Sequence, residues 1–432
     1  MSYMDPTDRA LDTDSVHAGQ HVDPATGSRA TPIHQTTSYL FESADEAAAR
    51  YTLESQGDLY SRISNPTVRV LEDRLARLHG AGGAVATASG MAAIDALTFV
   101  LTRQGQHIVS STDIYGGTAT YFRHAAEKRG VPTRFVNPLD LTAVKEAVDA
   151  DTAFVHVETI GNPSLVTPDF EALAEIAHDV NAPLVVDNTF ASPSLCRPFE
   201  HGADIVWEST TKWIHGSGTT IGGVVCDAGT FDWSETKFPE LAGANRAYPH
   251  LDFSDAFPEA PLAAAVRYRS VRTLGGAQSP FNAWQTLQGL ETLPLRMRKH
   301  SDNADIVARF LADHPEVAWV TYPGLNDHRT HEFANRYLDG GYGGMLTFGL
   351  EGGYTASKRV CEETELISFL ANVGDAKTLI IHPASTTHSQ LSPEEQAASG
   401  VQTDLLRLSV GIEDPEDIIA DLDRAIRRAS TA

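Results

Sequence analysis

Of the seven lysines in the chain (Lys128, Lys145, Lys212, Lys237, Lys299, Lys358 and Lys377), one is placed to do chemistry. Lys212 follows the apolar, β-branched run Ala203-Asp204-Ile205-Val206-Trp207-Glu208 and the hydroxyls of Ser209, Thr210 and Thr211. It precedes a Gly-rich segment from Gly216 to Gly223. A short strand with Ser, Thr and Lys at its carboxyl end can gather an anion and an amine in one place. Ser209 and Thr211 alternate beside the lysine, a spacing that turns both hydroxyls to one side, where they can donate to a phosphate. Upstream, Pro183 to Phe190 reads as another buried strand, ending in Asp187. A carboxylate there must be paired, with an arginine or with a cationic ligand. Arg407 interrupts the apolar strand 405–410. Its buried guanidinium needs an anion in turn, an internal Asp or Glu or the carboxylate of a substrate.

Hydroxyls for a phosphate, an amine for an aldehyde and an acid for a pyridinium nitrogen are three functions that pyridoxal phosphate uses at once. Pro183 to Phe190 and Ser209 to Gly223 resemble the cofactor site of the Cys/Met-metabolism family of pyridoxal-phosphate enzymes. More of that family's motifs follow in its order: Tyr60-Ser61-Arg62-Ile63-Ser64-Asn65-Pro66-Thr67, Ser89-Gly90-Met91-Ala92-Ala93 and Leu406-Arg407-Leu408-Ser409-Val410-Gly411, so the resemblance runs from about His17 to the C-terminus. It implies that Lys212 carries the cofactor and that Ser89, Gly90, Met91, Ser209 and Thr211 seat its phosphate. Tyr60 and Arg62 would complete that seat from an adjacent subunit. Asp187 would face the ring nitrogen, Tyr115 would stack on the ring and Asn162 would lie near the phenolic oxygen, with Glu158 close by in a role left open. Arg407 would take the substrate α-carboxylate, and Asn372 with the segment Pro383 to His388 would complete the pocket. Lys212, Tyr115 and Asp187 form the implied catalytic set.

The residues support parts of this independently. Ser89-Gly90-Met91 opens a helix containing Ile94 and Leu97, whose free amides and dipole can seat phosphate, although many helices begin with Ser-Gly. Tyr115 is followed by Gly116-Gly117 after a strand, which suits a loop mouth; a core tyrosine is the alternative. Arg62 offers the fork that phosphate prefers, and equally could form a surface ion pair. The triplet Asn372-Val373-Gly374 starts with Asn, as in the sulfhydrylase branch of the family, where the cystathionine-forming branch usually has Ser. That departure puts cystathionine synthesis in doubt, and the resemblance as a whole implies γ-replacement on O-acetylhomoserine with sulfide, giving homocysteine. Cystathionine γ-synthase or γ-lyase chemistry and methionine γ-lyase chemistry rank below it. A non-catalytic binding protein would not need Asp187, Lys212 and Arg407 all at strand ends. Gly216-Ser217-Gly218 lacks the dinucleotide spacing, and there is no Gly-Lys-Ser/Thr phosphate loop.

The elements that must position these residues alternate between strand and helix. Strand-like runs occur at 84–88, 107–110, 133–136, 153–157, 184–187 and 205–208. Between them lie helices such as one capped by Asn65 with Pro66 next and Gly80 at its end, and one over 169–180 with Thr167 as cap. This predicts a mainly parallel sheet covered on both faces, with ligands at the carboxyl ends of its strands. After about Gly289 a helix over 297–312, strands at 317–322, 345–350, 378–382 and 405–410, and a helix over 415–429 read as a smaller α+β domain. The resemblance makes the larger unit aspartate-aminotransferase-like. The predicted organisation is an N-terminal arm over 1–65, a cofactor-binding α/β domain over 66–288 and a C-terminal α+β domain over 289–432, with 231–261 as a loop or insertion. The resemblance also implies that the arm reaches a neighbouring subunit in a dimer of dimers.

Composition bounds the partners. A net charge of −24, from 33 basic and 57 acidic residues, argues against nucleic acid and anionic membranes. No apolar run is long enough to span a bilayer, and the first residues lack a signal peptide's basic and apolar regions. Cys196, Cys226 and Cys361 are odd in number and far apart, which suggests a reducing, cytoplasmic setting. No metal site is expected, since His17, His21 and His34 have no acidic or thiol partners at ligand spacing.

Overall fold

The computed structural model describes residues 9–430 except 56, 235, 244–246, 388, 390–395 and 397–399. His388 and parts of the 231–261 insertion therefore lie outside the described residues.

Strands β1 (Gly83–Thr87), β2 (His107–Ser111), β3 (Thr133–Val136), β4 (Thr152–Glu158), β5 (Leu184–Asp187), β6 (Ile205–Glu208) and β7 (Gly223–Asp227) form one sheet in the order β1-β7-β6-β5-β4-β2-β3. Only β7 runs antiparallel to its neighbours; the other pairings are parallel. β7 escaped the sequence reading because it begins at the end of the Gly-rich segment Gly216 to Gly223; the sheet supplies the partners on both sides that make Gly223–Asp227 a strand. The strands of the sheet centre are apolar on both faces, as helices cover both. Val186, Val206, Val224 and Leu71 belong to one core, and Val185, Ile205, Val225 and Leu97 to the other.

Local signals set the helix ends. Asn65 caps Pro66–His79, its side chain accepting from Thr67 N and Val68 N, and Gly80 ends that helix with φ +71°. The helix after β4 departs from expectation. It spans Phe170–His178 and is capped by Asp169, which accepts from Ala172 N, while the Thr167 amide donates to Thr330. Two acceptors competed for one cap, and the acid three residues before the amide has the better geometry. The N-terminal segment is also more structured than its weak periodicity suggested, with helices Leu11–His17 and Ala44–Tyr51. Its chain is tied to the Pro66 helix through Thr67 on Pro32 O and Arg74 on Ala18 O, yet Leu40 stays 95% exposed.

The second sheet holds β8 (Val317–Thr321), β9 (Met345–Leu350), β10 (Ser368–Phe369), β11 (Leu379–Ile381) and β12 (Leu406–Ser409), in the order β10-β11-β12-β9-β8. The helix Leu293–Ala312 starts four residues before the expected position and connects the two sheets. Leu293 and Met297 enter the core of the large sheet; Ala304, Val307 and Leu311 enter that of the second. Pro415–Ser430 covers the second sheet with Ile418, Leu422 and Ile426.

No helix among the described residues is long and apolar enough to cross a membrane, and no group of three or more His, Cys, Asp or Glu among them could hold a metal. All three cysteines are free and buried. The excess negative charge is spread over a surface of 18487 Å². Like charges at that density repel, so melting temperature is expected to rise between low salt and ~1 M salt, where the Debye length falls to ~3 Å. A melting temperature that stays flat or falls would remove repulsion as a factor in stability.

Candidate active site

The carboxyl ends of β4, β5 and β6 lie side by side, with Glu158 in register with Asp187. β6 stops at Glu208, so Ser209 to His215 form a turn rather than an extension of the strand. That turn closes through Lys212 N on Ser209 O at 3.2 Å and Gly216 N on Lys212 O at 2.8 Å. The strand alternation expected for Ser209 and Thr211 does not apply here. The Thr211 hydroxyl is engaged with Gly222, accepting from its N–H and donating to its carbonyl. The Ser209 hydroxyl has no partner among the described residues, and its amide donates to Thr189 Oγ1 at 2.9 Å.

The helix Gly90–Leu101 points its N-terminus at Ser209. A Cβ at Gly90 would lie 2.8 Å from the Ser209 Cβ, so only glycine allows the approach. Ser89 caps the helix twice: its hydroxyl accepts from Ala92 N and its carbonyl from Ala93 N. Gly90 and Met91 keep the open amides of the first turn. Two open amides, a helix dipole and an unpartnered hydroxyl form a cradle for an anion.

Lys212 is part-buried, and its ammonium donates to Asn372 Oδ1 at 2.5 Å. Asn372 gets there because Val373-Gly374 passes over the lysine's own backbone. A Cβ at Gly374 would come within 2.7 Å of Trp213 N, and φ is +76°. Burial, with the Arg407 charge adding to it, lowers the Lys212 amine to about 8. Below the turn, half-buried Arg296 donates to Trp213 O at 2.7 Å and to Ile214 O at 3.0 Å, clamping the backbone that follows the lysine. Nothing in the sequence pointed to Arg296, which lies 83 residues from Trp213.

Asp187 is buried without a basic partner among the described residues. It accepts the Thr189 amide at 2.9 Å and hydroxyl at 2.5 Å, and burial raises it to about 7, with the Glu208 charge pushing the same way. The arginine partner that would have explained this acid as a structural pair is not there. Thr189 was overlooked. It binds Asp187 and Ser209 together, and its position two residues beyond an acid at a strand end was the available signal.

Arg407 is buried, and its described partner is an amide: Nη1 donates to Asn162 Oδ1 at 3.2 Å. Burial lowers it to about 10. No carboxylate among the described residues pairs with it. Tyr115 is 47% exposed and packs its ring over Gly117, leaving a face open. Asn162 is buried and Tyr115 sits at the start of the Gly116–Thr120 helix. Tyr60 and Arg62 stand apart from this cluster. Both are exposed on this chain, with the Arg62 guanidinium 5.4 Å from the Tyr60 ring and bonded to Arg272 O. Ser385, near the pocket in sequence terms, bonds to His382 instead.

Pyridoxal phosphate fits this set. Its phosphate suits the cradle at Gly90, Met91 and Ser209, its ring nitrogen suits the unpaired acid Asp187, and its aldehyde suits an amine held near neutrality at Lys212. Arg407 remains for a second anion.

Comparison with known proteins agrees with the geometry. The family described as Cys/Met metabolism PLP-dependent enzyme matches residues 12–427. The homocysteine synthase of Schizosaccharomyces pombe is 47% identical over 422 residues, covering 97% of this chain and 98% of that protein. O-acetyl-L-homoserine sulfhydrylase 1 of Thermus thermophilus is 46% identical over 421 residues, covering 96% and 99%. A crystal structure from Campylobacter jejuni, assigned as an O-acetylhomoserine (thiol)-lyase and carrying a pyridoxyl-lysine phosphate, superposes with a TM-score of 0.93 at 37% identity, covering 97% of this chain and all of that one.

Proposed function

The chain belongs to the Cys/Met-metabolism family of pyridoxal-phosphate-dependent enzymes, and from that premise we propose that it exchanges the acetate of O-acetyl-L-homoserine for sulfide, giving L-homocysteine in methionine biosynthesis. The observation that carries this reading is the pairing of a neutralisable lysine with a buried, carboxylate-free arginine: Lys212 bonded to Asn372, and Arg407 bonded to Asn162.

When bound, pyridoxal phosphate supplies an electron sink for the charge left at substrate carbons that lose a proton. Ser209 and the Gly90 and Met91 amides would hold its phosphate, Lys212 would hold its aldehyde carbon until the substrate amine displaces it and frees the lysine amine, and Tyr115 would cover one face of the ring. Asp187 would keep the proton on the ring nitrogen, since an ionised buried acid gains most from a cation beside it. Arg407 binds the substrate α-carboxylate. That orients Cα toward the Lys212 amine, which takes the Cα proton and then moves a proton at Cβ. Asn372 Oδ1 accepts from the lysine but has no proton to give through that oxygen, so it steadies the amine without competing as an acid. Acetate departs from Cγ, sulfide bonds to the same carbon, and Lys212 returns the protons.

The same reading makes Tyr60 and Arg62 contributors to a neighbouring subunit's phosphate seat, in a dimer of dimers. Their exposure on the isolated chain and that of Leu40 support an interface on that side. We divide the chain into an arm to residue 65, a cofactor domain to 288 and a C-terminal domain, and place it in the cytoplasm with small-molecule substrates only. The test is a matched assay of acyl donors and nucleophiles on the cofactor-loaded enzyme. O-acetylhomoserine with sulfide should give homocysteine with the highest kcat/KM. The reading fails if no homocysteine forms, or if cysteine gives cystathionine with a higher kcat/KM.

A further inference from the structure

Glu158, the last residue of β4, is 6% exposed and holds two loops at once. Oε1 accepts the backbone N–H of Tyr115 at 2.6 Å, and Oε2 accepts the backbone N–H of Asn162 at 2.9 Å. Tyr115 belongs to the connection after β2 and Asn162 to the connection after β4. Asn162 then accepts from Arg407, which arrives from the second sheet. A continuous chain of contacts thus runs from the exposed ring of Tyr115 through Glu158 and Asn162 to the Arg407 guanidinium.

The charge of this group is costly. No cation among the described residues pairs with Glu158, its register partner is the acid Asp187, and burial together with that neighbour pushes it well above the usual carboxylate range. Two converging donors explain why a carboxylate occupies such a position. An amide side chain could accept from one backbone N–H but would turn its own NH₂ toward the other. Two acceptor oxygens on one planar group satisfy both.

We propose that Glu158 is a positioning residue that sets the Tyr115 ring and the Asn162–Arg407 pair at a fixed separation, so that cofactor stacking and capture of the substrate carboxylate depend on one side chain. The inference rests on the pyridoxal-phosphate reading of the site and deepens it. Both described hydrogen bonds of Glu158 go to backbone amides, not to the lysine.

The experiment compares wild type with Glu158→Gln and Glu158→Asp. Each apoprotein is titrated with pyridoxal phosphate by absorbance, and the loaded forms are compared by visible circular dichroism and by KM and kcat for O-acetylhomoserine. Loss of one of the two backbone hydrogen bonds should weaken cofactor binding in Glu158→Gln by about 10- to 100-fold. KM should rise by more than kcat falls, because Arg407 is reached through Asn162, and the visible dichroism should shrink as the ring loses its fixed stack. Glu158→Asp keeps both oxygens and should recover part of each effect. Unchanged cofactor affinity, dichroism and KM in Glu158→Gln would overturn the proposal, as would a Glu158→Asp variant no better than Glu158→Gln. If Glu158→Gln does not fold, the Glu158→Asp titration decides: an affinity equal to wild type overturns the proposal, and an affinity measurably weakened, by up to about 10-fold, supports it. The titration and dichroism need no substrate, so a wild type that binds the cofactor but ignores O-acetylhomoserine would refute the proposed reaction and leave this test standing.

Discussion

Lys212→Ala is expected to fold, to bind pyridoxal phosphate only reversibly and to turn over at least about 10⁴-fold more slowly than wild type. The loss combines two roles, holding the aldehyde carbon and moving protons at Cα and Cβ. Borohydride treatment of the loaded wild type should fix a pyridoxyl group on the peptide containing Lys212, and mapping should find none on Lys128, Lys145, Lys237, Lys299, Lys358 or Lys377. Label on any of those would sink the assignment. The environment of the amine adds a pH signature. An ordinary lysine titrates near 10.5, whereas burial and then the Arg407 charge lower Lys212 to about 8. The free amine is the form that captures an aldehyde, so capture by the apoprotein should accelerate as pH rises and level off above about pH 8. A capture rate still climbing steeply at pH 10 would mean that the amine is not desolvated.

Arg407→Met should separate activity from stability. In the proposed complex the guanidinium binds a carboxylate inside a dry site, and removing one member of such a pair costs roughly 3–5 kcal/mol, or about 10²- to 10⁴-fold in kcat/KM. The free protein should respond the opposite way. Arg407 is buried, its described partner is the neutral Asn162, and burial already lowers it to about 10. Replacing an uncompensated buried cation by an apolar side chain of similar length should hold or raise the melting temperature, the orphaned Asn162 oxygen offsetting part of the gain. A large fall in melting temperature with little change in kcat/KM would show that Arg407 serves an internal anion instead. The two predictions are linked. Because the Arg407 charge helps to lower Lys212, the Arg407→Met variant should capture pyridoxal phosphate with its pH midpoint shifted upward.

The parts of the site that were legible share one property, a strong local pattern. Asp187 and Glu158 stand out because each ends an apolar β-branched run, and the structure ends β5 and β4 at those residues. Ser89 and Asn65 stand out because a capping side chain precedes a helical stripe, and both accept from the first-turn amides as such residues do. Where two local signals competed, as at Thr167 and Asp169, or where β6 gave way to a turn before Ser209, the pattern alone could not choose between them.

By itself the sequence determined the alternation of strands and helices and the mainly parallel character of the large sheet, and it singled out Lys212 as the candidate amine, since periodicity, caps and burial preferences act over a few residues. Only the tertiary structure decided what those residues touch. Lys212 meets Asn372 across 160 positions, Arg407 meets Asn162 across 245, and Glu158 joins Tyr115 across 43. None of these contacts leaves a periodic trace, because each partner is specified by the packing of one sheet against the other and not by its chain neighbours. The same holds for the lack of a partner: that Asp187 and Arg407 have no described counter-ion depends on every loop that could have brought one and did not. The chemistry follows from that, because a buried charge left unpaired by the fold is stabilised by the ligand that supplies the missing one.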